Sequence, residues 1–173
     1  TVDLIRAAGG TAHAVAADVT DPAQVEAMVA SAVAAYGRLD CAHNNAGIAA
    51  MHVGAGGQRM CDITQAAWDR IMTANLTGVW PCLKPEIVAM ERTGGGSIVN
   101  TSSIAGLIGL PGSNAYVAAK HGVIGLTKAA AIDYAPARIR INAVCPGYVE
   151  TSMIREAMTR RGDSILSTVP MHR

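Results

Sequence analysis

Apolar residues along this chain occur in two patterns, short continuous runs and repeats at three- or four-residue spacing. The short runs lie near residues 12–18, 39–43, 97–101 and 140–145. Runs of this length between turn residues predict buried strands, and the repeats between them predict amphipathic helices. Strands that alternate with helices predict an α/β fold with a parallel sheet.

Several helix ends can be read from residue types. Asp21 can cap a helix that begins at Pro22, since proline suits the first helical position. Gln24 can complete a capping box, and Gly37 is expected to end the helix. A second helix is predicted over residues 114–134, before Pro136.

A longer helix is predicted from about Gln65 to Arg92, with two prolines inside it. Pro81 and Pro85 lack the backbone N–H donor that a helix interior needs, so this helix is expected to kink or break in two there. Residues 151–170 are predicted to form one or two short helices and a loop.

Candidate chemistry centres on Tyr116 and Lys120, which lie four positions apart in the predicted helix over residues 114–134. That spacing places both side chains on one helix face. An ammonium beside a phenol lowers its pKa towards neutrality, as a general acid or base at neutral pH requires. Ser103 follows the strand at 97–101 and could hold a substrate oxygen. Taken alone, Tyr-x-x-x-Lys is more often a solvated helical pair.

Three further motifs accompany this pair in order along the chain. They are Asn44-Asn45-Ala46-Gly47, Asn75 in Met72-Thr73-Ala74-Asn75-Leu76-Thr77-Gly78, and Pro146-Gly147. With these motifs, essentially the whole chain resembles the classical short-chain dehydrogenase/reductase family. The resemblance implies a Rossmann-like, three-layer parallel sheet that binds a nicotinamide dinucleotide, NAD or NADP.

The resemblance also implies a role for each residue of the motifs. Tyr116 would be the general acid/base, and Lys120 would lower its pKa and bind the nicotinamide ribose. Ser103 would hold the substrate oxygen, and Asn75 would fix a water that relays protons. The implied cofactor-binding residues are Asp18, Val19, Asn45, Ala46, Gly47, Tyr116, Lys120, Pro146, Gly147, Val149 and Thr151. Helix capping is the alternative role for Asp18 and Thr151.

One expected feature of a dinucleotide site is missing, a glycine-rich turn that joins a strand to a helix N-terminus. The resemblance places that turn and two strands before Thr1, and a helix and a strand after Arg173. Residues 1–173 are therefore interpreted as a single NAD(P)-binding Rossmann-type domain that is truncated at both ends. On this interpretation the sheet is incomplete, and the 12–18 strand does not pair directly with the 39–43 strand.

Composition and charge narrow the function classes. A net charge of +1 without a basic run argues against a nucleic-acid partner, and no apolar run is long enough for a membrane span. The four cysteines lack Cys-x-x-Cys spacing and no histidine cluster occurs, so we expect no metal site and a reducing, cytoplasmic location.

The expected partners are a small alcohol or carbonyl substrate and further copies of the chain. The resemblance implies a homodimer or homotetramer assembled through the helices over residues 65–92 and 114–134. Five apolar residues on these helices are interpreted as surplus to one core face: Met72, Leu76, Val79, Ile124 and Ala131.

The favoured interpretation is an NAD(P)-dependent alcohol dehydrogenase or carbonyl reductase, with residues 1–173 alone expected to be inactive. Two alternatives stay open at this point. One is a sugar-nucleotide epimerase or dehydratase, which also uses Tyr-x-x-x-Lys. The other is a truncated or inactive Rossmann scaffold without catalysis.

Overall fold

A computed structural model describes residues 1–151, 153–155, 158–159, 162, 166–167 and 169–171. Its sheet contains three parallel strands in the order β1 (Cys41–Asn44), β2 (Gly96–Thr101) and β3 (Ile139–Val144). The helices are α1 (Val2–Ala7), α2 (Pro22–Tyr36), α3 (Gln65–Met72), α4 (Val79–Arg92) and α5 (Asn114–Tyr134). The α/β class and the parallel sheet are thus confirmed. Much of the segment 151–170, predicted as short helices and a loop, lies outside the described residues.

Only three of the four predicted strands are strands in the structure. The segment 12–18 belongs to no strand among the described residues, and it does not pair with β1. A strand exists only where a neighbour accepts and donates its ladder hydrogen bonds. No described segment forms such a ladder with residues 12–18, and the prediction of a strand there is therefore wrong for this structure.

Helix α2 begins and ends where its residue types predicted. The Asp21 carboxylate accepts hydrogen bonds from the backbone N–H groups of Ala23 and Gln24, and Gly37 ends the helix with φ of 79°. The capping box is not formed as predicted. The Gln24 side-chain oxygen accepts from the backbone N–H of Asp18 at 3.0 Å, and this contact ties the preceding turn to the helix.

The long helix predicted over residues 65–92 is interrupted, but upstream of its prolines. A π-helical turn, Thr73–Thr77, separates α3 from α4, and the Gly78 N–H donates to the Thr73 carbonyl at 2.8 Å. Helix α4 then continues through Pro85. Pro81 lies in the first turn of α4, where a helix leaves its N–H groups unpaired anyway. The expectation of a break at the prolines is therefore wrong.

The main core lies between one face of the sheet and helices α4 and α5. Ile98, Ile139 and Ile141 of the sheet pack there against α4 and α5. Alternate strand residues such as Arg140 and Asn142 are exposed on the opposite face. No described helix is long and apolar enough to cross a membrane.

The residues expected to be surplus to the core are largely part of it. Val79 is 5% exposed within the core, and Leu76 and Ala131 pack against it. The expectation is wrong for these three, because helix orientation cannot be fixed from spacing alone. The exposed large apolar side chains of α4 are instead Trp80 and Val88.

A polar cluster is buried in this same layer between sheet and helices. The Asn44 side-chain amide donates to Glu86 Oε2 and to Asn100 Oδ1, both at 3.0 Å. Asn100 Nδ2 donates to Thr127 Oγ1 at 3.0 Å, and the Thr127 hydroxyl donates to the Val123 carbonyl at 2.7 Å. Burial raises the pKa of the Glu86 carboxyl to about 7, and the Asn44 hydrogen bond offsets part of the rise.

This pKa predicts how stability depends on pH. The Glu86 pKa is about 7 in the folded protein against 4.5 ordinarily, so the folded state binds more protons between those values. The free energy of unfolding should therefore fall as pH rises through that window, by up to about 1.4 kcal/mol per pH unit. Denaturant unfolding across this range measures the slope.

Glu86→Gln supplies the matched control, because the amide keeps an acceptor oxygen but does not titrate. Histidines and other carboxylates contribute equally to both proteins, so the difference between the two slopes isolates Glu86. Parallel slopes for the wild-type protein and Glu86→Gln would show that Glu86 does not titrate in this window.

Candidate active site

The side chains predicted to carry chemistry lie where the three strands end. Parallel strands place their carboxyl ends at one edge of the sheet, the usual location of ligand sites in such folds. Asn45 follows β1, Ser103 follows β2 and Pro146 follows β3. Two backbone bonds join the last two loops, from Ser102 N–H to the Val144 carbonyl and from Ile104 N–H to the Pro146 carbonyl, both at 2.8 Å.

Helix α5 brings Tyr116 and Lys120 to this edge. Lys120 is 4% exposed, and its Nζ donates to the Thr101 backbone carbonyl at 2.8 Å. Burial lowers the pKa of the Lys120 ammonium to about 8. An ammonium has three donors, and Thr101 is its one hydrogen-bond acceptor among the described residues. Two N–H groups thus remain for other acceptors.

The ring of Tyr116 packs beside an apolar cluster formed by Ala55, Ala67, Ile71 and Ala115. Burial raises the pKa of the Tyr116 phenol, and a hydrogen bond with the Ser103 hydroxyl lowers it by a smaller amount. The net direction is opposite to the one expected from the Tyr116–Lys120 pair. Lys120 Nζ lies 5.6 Å from the ring centroid and donates to Thr101, so desolvation of the phenol dominates.

Asn75 lies in the π-helical turn and holds the loop that follows β1. Its Oδ1 accepts from the Ile48 N–H at 3.0 Å, and its Nδ2 donates to the carbonyls of Ile48 and Ile71, each at 3.0 Å. Asn75 is 1% exposed. The side chain is therefore a clamp that fixes Ile48, and through it Gly47, beside Lys120.

Ser102 and Gly106 also build this site, although the motifs did not assign them a role. The buried Ser102 hydroxyl donates to the Lys120 carbonyl at 2.8 Å and so joins the end of β2 to α5. A Cβ on Gly106 would clash with the Ser102 hydroxyl and lie 2.8 Å from the Lys120 carbonyl. The only signal in the sequence is the pair Ser102-Ser103, and spacing does not reveal which serine faces Tyr116.

The other predicted cofactor-binding residues differ in how far they are buried. Asn45 and Ala46, which follow β1, and Gly147, Val149 and Thr151, which follow β3, are exposed, whereas Gly47 and Pro146 are partly buried. Asp18 is exposed, and its Oδ1 accepts from the N–H and the hydroxyl of Thr20, both at 2.8 Å, which keep its pKa below the ordinary value.

Two of these residues make the local contacts expected of a turn. The Asp18 carboxylate is engaged by Thr20, and the Thr151 carbonyl accepts from the N–H groups of Ile154 and Arg155 at 3.2 and 3.1 Å. Val19 packs beside Gly78, the residue that follows the π-helical turn, because a Cβ on Gly78 would lie 3.1 Å from a Val19 methyl group.

This arrangement fits a nicotinamide dinucleotide at its ribose end. Lys120 has spare N–H donors for ribose hydroxyls, since charged donors form the stronger hydrogen bonds. Tyr116 and Ser103 offer adjacent hydroxyls for a substrate oxygen. Within the described part of the chain, no three His, Cys, Asp or Glu side chains come together as metal ligands do.

A family model described as short chain dehydrogenase matches residues 1–162. The chain belongs to the short-chain dehydrogenase/reductase family, as its motifs predicted. Cyclohexanol dehydrogenase of Acinetobacter sp. (strain SE19) is 46% identical over 155 residues, which cover 90% of this chain and 60% of that protein. The chain thus spans less than two thirds of this relative.

Solved structures agree with the family and the fold. NAD⁺-bound xylitol dehydrogenase matches with a TM-score of 0.91 at 31% identity, over 99% of this chain and 70% of that one. ElxO with NADP bound matches with a TM-score of 0.82 at 37% identity, over 90% of this chain and 62% of that one. Relatives of this chain therefore bind NAD⁺ or NADP.

The clamp at Gly47 gives a test of the site's packing. A Cβ on Gly47 would lie 2.6 Å from Asn75 Oδ1 and 3.8 Å from Lys120 Nζ. Gly47→Ala should break the bond between Asn75 and Ile48 and cost about 1–3 kcal/mol, as expected for an orphaned buried polar group. Denaturant unfolding measures the loss.

Gly125→Ala is the matched control in α5. A Cβ there meets nothing within 4 Å, and alanine should stabilise an exposed helix position by up to about 1 kcal/mol. If Gly47→Ala were as stable as the wild-type protein, Asn75 would not be a rigid clamp.

Proposed function

We propose that the protein containing this chain is an NAD(P)-dependent alcohol dehydrogenase or carbonyl reductase. The observation that carries the proposal is the convergence of Ser103, Tyr116 and Lys120 at one edge of a parallel sheet. Residues 1–173 would form a single NAD(P)-binding Rossmann-type domain. The chemistry supplied by the bound cofactor is hydride transfer to or from carbon.

Residues of this chain carry out the proton transfer that accompanies hydride transfer. In carbonyl reduction, the Tyr116 hydroxyl donates its proton to the substrate oxygen, and in alcohol oxidation the phenolate accepts that proton. Ser103 orients the substrate oxygen towards Tyr116 through its hydroxyl. Proton transfer from a positioned side chain in this way typically contributes about 10²–10⁴-fold to the rate.

Lys120 and Asn75 support the same proton transfer. The Lys120 ammonium stabilises a neighbouring phenolate and binds ribose hydroxyls with the N–H groups that Thr101 leaves free. Asn75 holds Ile48 and the adjoining backbone, and we propose that it also fixes a water that returns protons from Lys120 to solvent. Asn45, Ala46 and Gly47 would line the adenosine ribose, with Pro146, Gly147, Val149 and Thr151 around the nicotinamide.

Tyr116→Phe in the full-length protein tests the proton donor. The substitution keeps the ring that packs in the apolar cluster and removes only the hydroxyl. We expect kcat to fall by at least about 10²-fold, the contribution of a positioned general acid, with little change in cofactor Kd. Steady-state kinetics and a fluorescence titration of the cofactor measure the two quantities.

Tyr134→Phe is the matched control, since Tyr134 ends the same helix and packs against the main core. It removes an equivalent hydroxyl outside the site and should leave kcat unchanged. Near-normal turnover by Tyr116→Phe would refute the assignment of Tyr116.

We further propose that the full-length protein is a homodimer or homotetramer through α4 and α5. Trp80 and Val88 are exposed on α4, eight positions apart on one face, and Ile132 is 75% exposed on α5. Lys84 Nζ lies 4.9 Å from the Trp80 ring centroid, and Trp80 is still 54% exposed. Large apolar side chains exposed on both helices favour burial against another copy.

Trp80→Glu should dissociate the oligomer, because a carboxylate at a packed apolar interface is costly. Light scattering after size-exclusion chromatography at micromolar concentration measures the mass. Ala27→Glu, at an exposed position of α2, adds the same single negative charge outside the proposed interface and should leave the oligomer intact. A monomeric wild-type protein would contradict the assembly.

A further inference from the structure

Glu86 is a buried carboxyl for which the proposed reaction has no use. It is 4% exposed on α4, and among the described residues no Lys, Arg or His lies within ion-pair distance of it. Burial of an unpaired carboxyl disfavours folding, and an apolar side chain of similar volume would pack there without that cost. The location of Glu86 therefore calls for a role that depends on its oxygen atoms.

The oxygen atoms of Glu86 determine the orientation of the Asn44 amide. Asn44 donates one proton to Glu86 Oε2 and the other to Asn100 Oδ1. Asn100 has to present its oxygen there, because its own Nδ2 donates to Thr127 Oγ1. If Asn44 turned over, its oxygen would face the oxygen of Asn100. The hydrogen bonds that link Glu86, Asn44, Asn100 and Thr127 are therefore consistent with only one orientation of the Asn44 amide, in which Glu86 is an acceptor.

Asn44 is the last residue of β1, and the backbone of Asn45–Gly47 begins immediately after it. At the other end of this short segment, Asn75 holds both backbone groups of Ile48. The segment is therefore fixed at both ends by side-chain amides, that of the partly buried Asn44 and that of the buried Asn75. Loss of the Asn44 anchor would leave the entry to Asn45 held only by its strand bonds.

We infer that Glu86 is a positioning residue for the cofactor: through the Asn44 amide, it fixes the backbone of Asn45–Gly47 at the carboxyl end of β1. This inference rests on the proposed function, in which that segment lines the adenosine ribose. The role requires a hydrogen-bond acceptor and not a negative charge, because a protonated carboxyl or a carboxamide also presents one carbonyl oxygen.

Glu86→Met and Glu86→Gln in the full-length protein separate acceptor from volume. Met has a similar size but no oxygen, so the cofactor KM should rise by about tenfold, the scale of one buried hydrogen bond. The value of kcat at saturating cofactor and the KM of the alcohol should change by less than about twofold. Gln should restore the cofactor KM to the wild-type value.

Ile87→Ala is the matched control for lost stability, since Ile87 is the next residue of α4 and lies in the main core. It should lower Tm without changing the cofactor KM. If Glu86→Met lowers Tm and leaves the cofactor KM unchanged, Glu86 is merely structural and the inference fails. It also fails if Glu86→Gln behaves as Glu86→Met does.

A measurement independent of turnover distinguishes this failure from failure of the proposed function. Amide hydrogen exchange of residues 45–48 should speed up by about tenfold in Glu86→Met and not in Glu86→Gln or Ile87→Ala. Equal exchange in all proteins overturns the inference, even if the wild-type protein is an active dehydrogenase. A wild-type protein that turns over no alcohol or ketone with NAD⁺ or NADP⁺ overturns the proposed function instead.

Should Glu86→Met not fold, Asn44→Ala tests the same hydrogen bond from its donor. It should accelerate exchange in residues 45–48 and raise the cofactor KM in the same direction. An Asn44→Ala protein with wild-type exchange and wild-type cofactor KM would equally overturn the inference.

Discussion

The attachment of helix α5 to the end of strand β2 is the constraint on which the candidate active site depends. Two hydrogen bonds form this attachment, one donated by the helix and one by the strand end. Lys120 Nζ donates to the Thr101 carbonyl, and the Ser102 hydroxyl donates to the Lys120 carbonyl. Both lie in buried surroundings, where a polar group without a partner is costly. Sliding or rotation of α5 would break both bonds, so the position of Tyr116 relative to Ser103 is fixed by the strand.

Side-chain amides extend this constraint to the rest of the site. Asn75 fixes the loop after β1 from the π-helical turn, and Asn100 joins β2 to α5 at Thr127. A π-helical turn places one extra residue in a helix, and here it directs Asn75 towards Ile48 instead of into the helix surface. The interruption between α3 and α4 therefore positions Asn75, and the two prolines, which lie downstream of it, do not cause it.

Electrostatics of the site follow from burial more than from the pairing of charges. The pKa of Lys120 is lowered and that of Tyr116 is raised, in both cases mainly by desolvation. A pairwise argument from helix spacing predicted the opposite direction for Tyr116. The spacing was right, but it says nothing of the Thr101 carbonyl, which determines where the ammonium is directed.

The sequence by itself determined the features that depend on neighbouring residues and on recognisable motifs. These include the caps of α2, the three strands of the sheet, the placement of Ser103, Tyr116 and Lys120 at one edge, and the family. Tertiary structure decided the rest: that residues 12–18 form no strand, that the long helix breaks at Asn75, and that Glu86 is buried on a polar network. The physical reason is the sequence separation of the interacting residues. Helix caps and helical spacing depend on residues a few positions apart, whereas strand pairing, desolvation and buried amide hydrogen bonds depend on segments far apart in the chain.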